Sequence, residues 1–232
     1  MALATFYHPA LEQNDTTVEL SAAESSHAIK SRRLSVGSSI QLINGRGILA
    51  HATISETNKR TVTTHIESLE QYDLNYSLTV ATAIPKGDRQ KTMVDMLSQL
   101  GVTDIIPLRC ERSASYFKPN MQEKWQRYAI EACKQSQNPW LPRILPETNI
   151  EQVLMDIKST VIYADAEGQS VLTLDNCLRD NVTALIGPEG GFTEFEMNLL
   201  EKSCLAVSFG AHILRTELAS VIAASQLRLK DI

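Results

Sequence analysis

Two glycine-rich segments in the second half of the sequence hold most of the residues that could do chemistry. Residues 185–193 follow an apolar run and include three glycines, and residues 209–217 follow another apolar run and include Arg215 and Glu217. Glycines let a ligand approach backbone amides closely, and strand ends are where α/β sheets bind ligands. Neither segment has the spacing of a known phosphate loop. The pair predicts one shared pocket, although the first segment alone could equally be a tight structural turn.

The elements that must position these segments alternate between strands and helices. Apolar runs at 78–84, 105–106, 161–164 and 182–186 predict strands. Helical periodicity marks 93–100, 125–133, 193–201 and 218–229, and Thr193 with Glu196 forms a capping box for the third of these helices. This alternation predicts an α/β fold with a parallel sheet for the second part of the chain.

The first part of the chain has a different sequence pattern. Short β-rich runs lie at 39–43, 48–54 and 61–69, with the hairpin signal Asn44-Gly45-Arg46-Gly47 between the first two. Ser21 and Glu24 predict a capping box at the start of a helix over residues 22–34. We expect a small β-barrel with one helix, and therefore two domains, 1–72 and 73–232.

Composition restricts the class of protein. The 232 residues are 43% apolar and 21% charged, which is typical of a globular chain rather than a disordered one. No apolar run is long enough to span a membrane, and no basic residue precedes the first apolar stretch as in a signal peptide. We expect a cytoplasmic protein whose four separated cysteines, Cys110, Cys133, Cys177 and Cys204, are reduced and buried.

Charge is unevenly distributed along the chain. The net charge is −5, yet residues 84–143 contain 10 basic and 6 acidic side chains. A locally basic segment suits RNA binding on one face. Ordinary variation of charge along a solvated surface explains it equally well.

The two glycine-rich segments resemble paired motifs of the SPOUT methyltransferases, most closely the ribosomal RNA small subunit methyltransferase E family. The motifs are Leu-Ile-Gly-Pro-Glu-Gly-Gly-Phe-Thr at 185–193 and Phe-Gly-Ala-His-Ile-Leu-Arg-Thr-Glu at 209–217. The resemblance covers nearly the whole chain, including residues 6–8, 112–113 and 131–136. It implies a PUA-like β-barrel followed by a SPOUT-type trefoil-knot α/β methyltransferase domain, usually as a homodimer with the cofactor pocket at the subunit interface.

The resemblance also implies an activity, the methylation of uridine N3 in 16S ribosomal RNA with S-adenosylmethionine as the cofactor and no metal. The RNA could be free or within the small ribosomal subunit. A side chain at Gly190 would then fill cofactor space. By resemblance, the cofactor would be held by Tyr163, Ala164, Leu185, Ile186, Gly187, Pro188, Glu189, Gly190, Phe209, Gly210, Ile213 and Leu214.

Two further residues are candidates for catalysis. Uridine N3 carries a proton at neutral pH, so a base must remove it or a cation must stabilise the anion that forms. Arg215 is the candidate cation, and Glu217 is the candidate base or the group that orients Arg215. The alternative for both is a structural ion pair across the loop.

Basic residues of both domains are candidates for RNA contact, because contacts to phosphates position a strand without reading its sequence. Each could instead belong to ordinary solvated surface, and a histidine in a helix is more often packed than bound to a base. The candidates are His27, Lys30, Arg32, Arg33, Lys86 and Arg89.

Several positions depart from the family pattern, mostly by loss of a charged or polar residue. Met96 and Gln99 replace Lys and Glu, Asn138 replaces Arg, His212 replaces a basic residue and Leu218 replaces Thr. These changes keep two alternatives open: a catalytically impaired RNA-binding protein with the same fold, and a methyltransferase with a shifted RNA target. A Rossmann-like nucleotide enzyme is disfavoured, because both phosphate motifs are absent.

The last predicted helix has an apolar face that could form the interface of the homodimer. The alternative is that this face packs only on its own sheet. The face consists of Leu218, Val221, Ile222 and Leu229.

Overall fold

The computed structural model describes residues 3–156, 159–174 and 181–228. The chain forms two compact units, one of Met1–Leu74 with Ile130–Leu141 and one of Asn75–Ala129 with Pro142–Ile232. The first unit thus includes a segment from the middle of the chain. A single domain boundary in the sequence therefore cannot separate the two units. The predicted boundary between residues 72 and 73 stays a prediction.

The first unit contains a five-stranded sheet in the order β1-β3-β4-β5-β2. Strands β1 and β3 are parallel, and the other neighbours are antiparallel. Its buried core includes Phe6, Leu11, Ile40 and Leu42. The strands are β1 (Ala4–Tyr7), β2 (Thr17–Glu19), β3 (Ser39–Ile43), β4 (Ile48–Thr57) and β5 (Val62–Gln71).

The predicted hairpin between β3 and β4 is confirmed. Gly45 and Gly47 have φ angles of 76° and 96°, which favour glycine. The Asn44 side chain accepts hydrogen bonds from the backbone N–H groups of Arg46 and Ile48, at 2.7 and 3.0 Å. This Asx-type turn fixes the register of β3 against β4.

The first helix is shorter than predicted. It consists of α1 (Ala22–Ser26) and a π-helical turn (His27–Ser31). Arg33 has a φ of 54°, which lies outside the helical region, so the helix cannot continue to residue 34. Ser21 accepts a hydrogen bond from the N–H of Glu24 at 3.3 Å, which supplies one half of the predicted capping box.

The second unit contains a six-stranded sheet in the order β11-β9-β10-β6-β7-β8, in which every pair of neighbours is parallel. The α/β prediction is confirmed. Because all strands run in the same direction, their carboxyl ends meet at one edge of the sheet. The strands are β6 (Leu78–Thr82), β7 (Asp104–Pro107), β8 (Arg143–Ile144), β9 (Thr160–Ser170), β10 (Val182–Ile186) and β11 (Leu205–Ser208).

Helices accompany this sheet, and the predicted cap of α5 is present in full: Thr193 and Glu196 exchange hydrogen bonds between side chain and backbone. The sequence did not predict β8 or α4. In the described part of the chain, no helix is long and apolar enough to cross a membrane. The helices are α2 (Arg89–Gln99), α3 (Pro119–Ser136), α4 (Ile150–Asp156), α5 (Glu194–Ser203) and α6 (Thr216–Arg228), with a 3-10 turn at Val171–Thr173.

Two residues of the sequence predictions, Cys177 and Leu229, lie outside the described residues. The other three cysteines are thiols; Cys110 and Cys133 are buried, and Cys204 is partly exposed. Burial raises the pKa of the Cys110 thiol to about 12 and that of Cys204 to about 11. Both thiols are therefore protonated at neutral pH and are poor nucleophiles.

Candidate functional site

A cleft lies at the carboxyl ends of the neighbouring strands β9, β10 and β11. Its walls come from residues 164–166, 186–188, 191–192, 207–210 and 212–214 and from the start of α6, and it holds about 670 Å³ when measured to its open mouth. Strand β9 makes it possible, because its pairing with β11 is interrupted between Tyr163 and Gln169. The intervening residues can then turn towards the cleft.

The loop after β10 is held by its own backbone and by one arginine from outside. The N–H of Gly191 donates to the carbonyl of Pro188 at 2.9 Å, with Gly191 at a φ of 68°. Arg112 Nη1 donates to the carbonyls of Gly190 and Phe192, each at 3.2 Å. The loop therefore presents a fixed backbone to the cleft.

The second loop and α6 are tied to the first loop by side chains. Thr216 is only 3% exposed, and its Oγ1 donates to the carbonyl of Gly187 at 3.1 Å. Ser208 Oγ donates to the carbonyl of Gly210 at 3.1 Å, and Gln226 Nε2 donates to that of Phe209 at 3.4 Å. These bonds preorganise the cleft.

Glycine at position 210 leaves room at the cleft wall. Its φ is not in the left-handed region, so the backbone does not require glycine there. A Cβ on Gly210 would meet only Leu214 Cδ1, at 4.0 Å, and both residues line the cleft. A cradle of this kind fits a ligand that contacts backbone amides, such as the nucleoside part of S-adenosylmethionine.

Most of the predicted cofactor residues are brought together here. Those that line the cleft are Ala164, Ile186, Gly187, Pro188, Phe209, Gly210, Ile213 and Leu214.

The other four predicted cofactor residues do not line the cleft. Tyr163 and Leu185 are buried in the hydrophobic core of the unit. Glu189 Oε1 lies 3.5 Å from Arg89 Nη1. A Cβ on Gly190 would lie 3.2 Å from Arg112 Cβ, on the side of the loop that Arg112 supports. The expectation that a side chain at Gly190 fills cofactor space stays a prediction.

Several cleft residues were missed by the sequence analysis. Asp165 directly follows the predicted strand 161–164, so its position at a strand end was the available signal. Thr216 lies between the catalytic candidates Arg215 and Glu217. Its role in the cleft depends on its hydrogen bond to the carbonyl of Gly187, which is 29 residues away in the sequence. The residues missed are Asp165, Ala166, Gly191, Phe192, Val207, Ser208, Thr216 and Ala219.

The two catalytic candidates lie in a second groove beside the cleft. Arg215 and Glu217 line it together with apolar side chains of α2 and α6, and the groove and the cleft share Ile213 and Leu214 as a common wall. The partner of Glu217 is Arg89, whose Nη1 is 3.5 Å from Glu217 Oε1. Among the described residues Arg215 forms no ion pair, so the alternative of an Arg215–Glu217 pair is wrong.

Comparison with known proteins identifies the family. The chain matches the model of an RNA methyltransferase domain over residues 73–228 and that of an RNA methyltransferase PUA domain over residues 20–67. It is 32% identical, over 93% of its length and 91% of the relative, to the ribosomal RNA small subunit methyltransferase E of Rickettsia conorii. The chain belongs to the ribosomal RNA small subunit methyltransferase E family.

Solved structures agree with this family in fold. The Neisseria gonorrhoeae member bound to S-adenosylmethionine superposes with a TM-score of 0.90 at 25% identity, over 99% of this chain and 98% of that one. A Legionella pneumophila protein in complex with the same cofactor gives a TM-score of 0.88 at 26% identity, with the same coverage. The predicted family, fold class and enzyme class are confirmed, and the predicted cofactor is the one these two relatives bind.

Three of the candidate RNA residues lie on the surface around the first helix of the first unit. Lys30, Arg32 and Arg33 are exposed, whereas the ring of His27 packs edge-on against Phe6, with centroids 6.0 Å apart. His27 is thus in the packed arrangement that is usual for a helix histidine.

The two remaining candidates, Lys86 and Arg89, belong to the second unit. Lys86 is exposed. Arg89 Nη1 lies 3.5 Å from a carboxylate oxygen of Glu189 and 3.5 Å from one of Glu217. These two ion pairs make Arg89 less available for contact with RNA than Lys86.

The departures from the family pattern fall in different places. Met96 and Leu218 both line the groove beside the cleft, and His212 lines the cleft itself. Gln99 donates to Asp95 within α2 at 3.0 Å, and Asn138 caps a turn by accepting from the N–H of Trp140 at 3.0 Å. Met96 and Leu218, which replace Lys and Thr, therefore both add apolar surface to the groove.

Proposed function

We propose that this chain transfers a methyl group from S-adenosylmethionine to N3 of a uridine in 16S ribosomal RNA. The observation that carries the proposal is the cleft at the ends of β9, β10 and β11, whose wall is glycine backbone tied by Thr216. Membership of the methyltransferase E family supports ribosomal RNA as the substrate. The S-adenosylmethionine bound in two similar solved structures supports the same cofactor here.

The cleft residues would bind the cofactor through their backbone. S-adenosylmethionine supplies, when bound, an electrophilic methyl group on a sulfonium. Gly187, Gly210 and Leu214 present the backbone surface, and the Asp165 carboxylate provides an acceptor for hydroxyl groups. Closure of the cleft against water would strengthen each polar contact inside it.

The groove residues would handle the uridine. Glu217 is partly buried, with its side chain 15% exposed, and is suited to receive the N3 proton. Arg89 beside it holds the carboxylate in place. Arg215 has no carboxylate partner in the described part of the chain, so its guanidinium is available to stabilise the uridine anion.

The same groove supports a homodimer. Ile213, Leu218 and Met96 are 91%, 46% and 43% exposed, and all three line this one groove between α2 and α6. Apolar side chains gathered in this way are typical of an interface. A second copy that covers them would also close the cleft and the groove against water.

We also place the substrate in the small ribosomal subunit, because the target base belongs to its RNA, and the protein in the cytoplasm with it. The alternative of an impaired RNA-binding protein predicts that RNA and cofactor bind without methyl transfer. A shifted target predicts transfer to another nucleotide.

The experiment is a methylation assay with tritiated S-adenosylmethionine on two substrates, a 16S RNA transcript and small subunits from a strain that lacks this gene. The modified nucleotide is then located by reverse-transcription stops, since a methyl group on N3 blocks base pairing. We expect one N3-methylated uridine, formed faster in the subunit. Cofactor binding without any transfer would favour the impaired protein, and a stop at a different base would indicate the shifted target.

A further inference from the structure

Basic and aromatic side chains of α2 and α3 form a cluster that does not line the cleft. Lys91 Nζ lies 5.7 Å from the centroid of the Tyr128 ring, and Lys124 Nζ lies 5.8 Å from the same centroid. Both lysines are exposed, and the tyrosine is half-buried. We refer to Lys91, Lys124 and Tyr128 as the lysine-tyrosine cluster.

The packing of the two helices explains why these side chains meet. Trp125 is completely buried, and its Nε1 donates to Gln90 Oε1 at 3.4 Å, which fixes α3 against α2 at this level. Lys91 follows Gln90 directly, and Lys124 precedes Trp125 directly. Lys124 and Tyr128 are four residues apart and so share one face of α3.

The electrostatics of the cluster are unbalanced. Two ammonium groups lie near one ring, and the cation–π attraction to that ring brings no negative charge to balance them. Acidic residues occur on the same helices, at Asp88, Asp95 and Glu123, but no carboxylate in the described ranges lies within ion-pair distance of either lysine. An anion from outside the chain would supply the missing negative charge.

We propose that the lysine-tyrosine cluster binds the phosphodiester backbone of the substrate RNA. The phosphates of a nucleic acid strand follow one another at intervals of a few ångströms, so two cations within 6 Å of one ring can contact the same short stretch of backbone. Exposed Arg127 on α3 adds a third positive charge next to Tyr128. The proposal rests on the proposed function, because it assumes that RNA is the substrate.

The ring of Tyr128 has a separate role from the charges. It holds the two long side chains near each other before RNA arrives, which lowers the entropy cost of ordering them. Removal of the ring should therefore weaken RNA binding less than removal of both charges. Tyr128→Phe keeps the ring and should behave like the parent protein.

The test measures RNA binding by filter retention at several KCl concentrations, with an unmodified 16S RNA transcript as the probe. The variants are Lys91→Ala, Lys124→Ala, their combination, and Lys91→Arg to restore the charge. The matched control is Lys202→Ala, which removes an exposed lysine at the end of α5. Calorimetry with S-adenosylmethionine and thermal melting confirm that each variant is folded and has an intact cleft.

We expect each single change to weaken RNA binding about threefold to tenfold and to lower the slope of log Kd against log salt by about 0.7 to 0.9 per lost phosphate contact. In the methylation assay KM for RNA should rise more than kcat falls, and cofactor affinity should stay at the parental value. Lys91→Arg should recover most of the loss, and Lys202→Ala should match the parent.

An unchanged RNA affinity and salt slope in the Lys91→Ala/Lys124→Ala protein would overturn the proposal. That result differs from a failure of the proposed function, in which the parent protein itself transfers no methyl group to RNA. A loss equal to that of Lys202→Ala would also overturn it, because it would show only the effect of net charge.

Discussion

Thr216 Oγ1 donates a hydrogen bond to the backbone carbonyl of Gly187 at 3.1 Å, and so joins the first residue of α6 to the loop after β10. Thr216 is 3% exposed. The bond connects the segments 185–193 and 209–217, which are separated by 15 residues in the sequence, and makes them one site.

Replacement of Thr216 by valine keeps the shape of the side chain and removes the donor. The Gly187 carbonyl then lacks this partner in a buried place, which costs about 1–3 kcal/mol. We expect a lower melting temperature and about tenfold weaker S-adenosylmethionine binding by calorimetry. Thr216→Ser keeps the hydroxyl and should bind nearly as well as the parent; equal affinity of the valine and serine variants would contradict this role.

Gly210→Val tests the cleft itself. The position has an ordinary φ and an almost open space at its Cβ, so the variant should fold. Its two methyl groups would occupy the room beside Leu214, and we expect cofactor affinity to fall by more than about tenfold. Ala211→Val is the matched control, because the neighbouring Ala211 is exposed and does not line the cleft. Comparable affinities in the two variants would place the cofactor elsewhere.

Local sequence signals predicted those parts of the fold that local contacts determine. The Asn44–Gly47 turn, strand β10 and the Thr193–Glu196 cap all follow from residues within a few positions of each other. The interruption of β9 after Tyr163 has no such signal, because it depends on the register with β11, a strand some forty residues later.

In the candidate site, too, local sequence signals predicted some residues and tertiary contacts determined others. Position in the two motifs identified seven cleft residues, since glycine loops at strand ends have a recognisable pattern. The pairing of Glu217 with Arg89 instead of Arg215 could not be predicted, because Arg89 is 128 residues away. The expected pair rested on nearness in sequence, and tertiary contact decided the partner.

The stability of the protein should decrease at alkaline pH through Cys110. Burial raises the pKa of this thiol to about 12 in the folded chain, against about 8.5 in an unfolded one. The contribution of the protonated thiol is fully present below about pH 8.5 and is lost as the pH rises towards 12. We expect urea unfolding to show a declining free energy from pH 8.5 to 10.5, with a shallower decline in Cys110→Ala. Parallel curves for the two proteins would exclude the thiol as the cause.

The groove between α2 and α6 should control assembly. Leu218→Glu places a charge among Met96 and Ile213, and desolvation of an unpaired carboxylate in an interface is costly. We expect the parent to sediment as a dimer at micromolar concentration and the variant as a monomer. Met155→Glu, which charges an exposed methionine of α4, is the control and should stay dimeric. A monomeric parent would remove the groove as an interface.

Arg215 should matter to turnover more than to folding or cofactor binding. It is exposed, and in the described part of the chain it has no ion-pair partner, so Arg215→Ala should melt near the parental temperature. A fixed guanidinium near uridine O2 or O4 would stabilise the anion that forms as N3 loses its proton, and removal of one such donor typically lowers kcat about a hundredfold to a thousandfold. Arg215→Lys keeps the charge without the planar fork and should recover part of the rate. Single-turnover methylation of small subunits, with saturating S-adenosylmethionine, measures the step directly. Near-parental turnover in Arg215→Ala would remove this residue from the mechanism and leave the groove with Glu217 as its only group placed to act on the uridine.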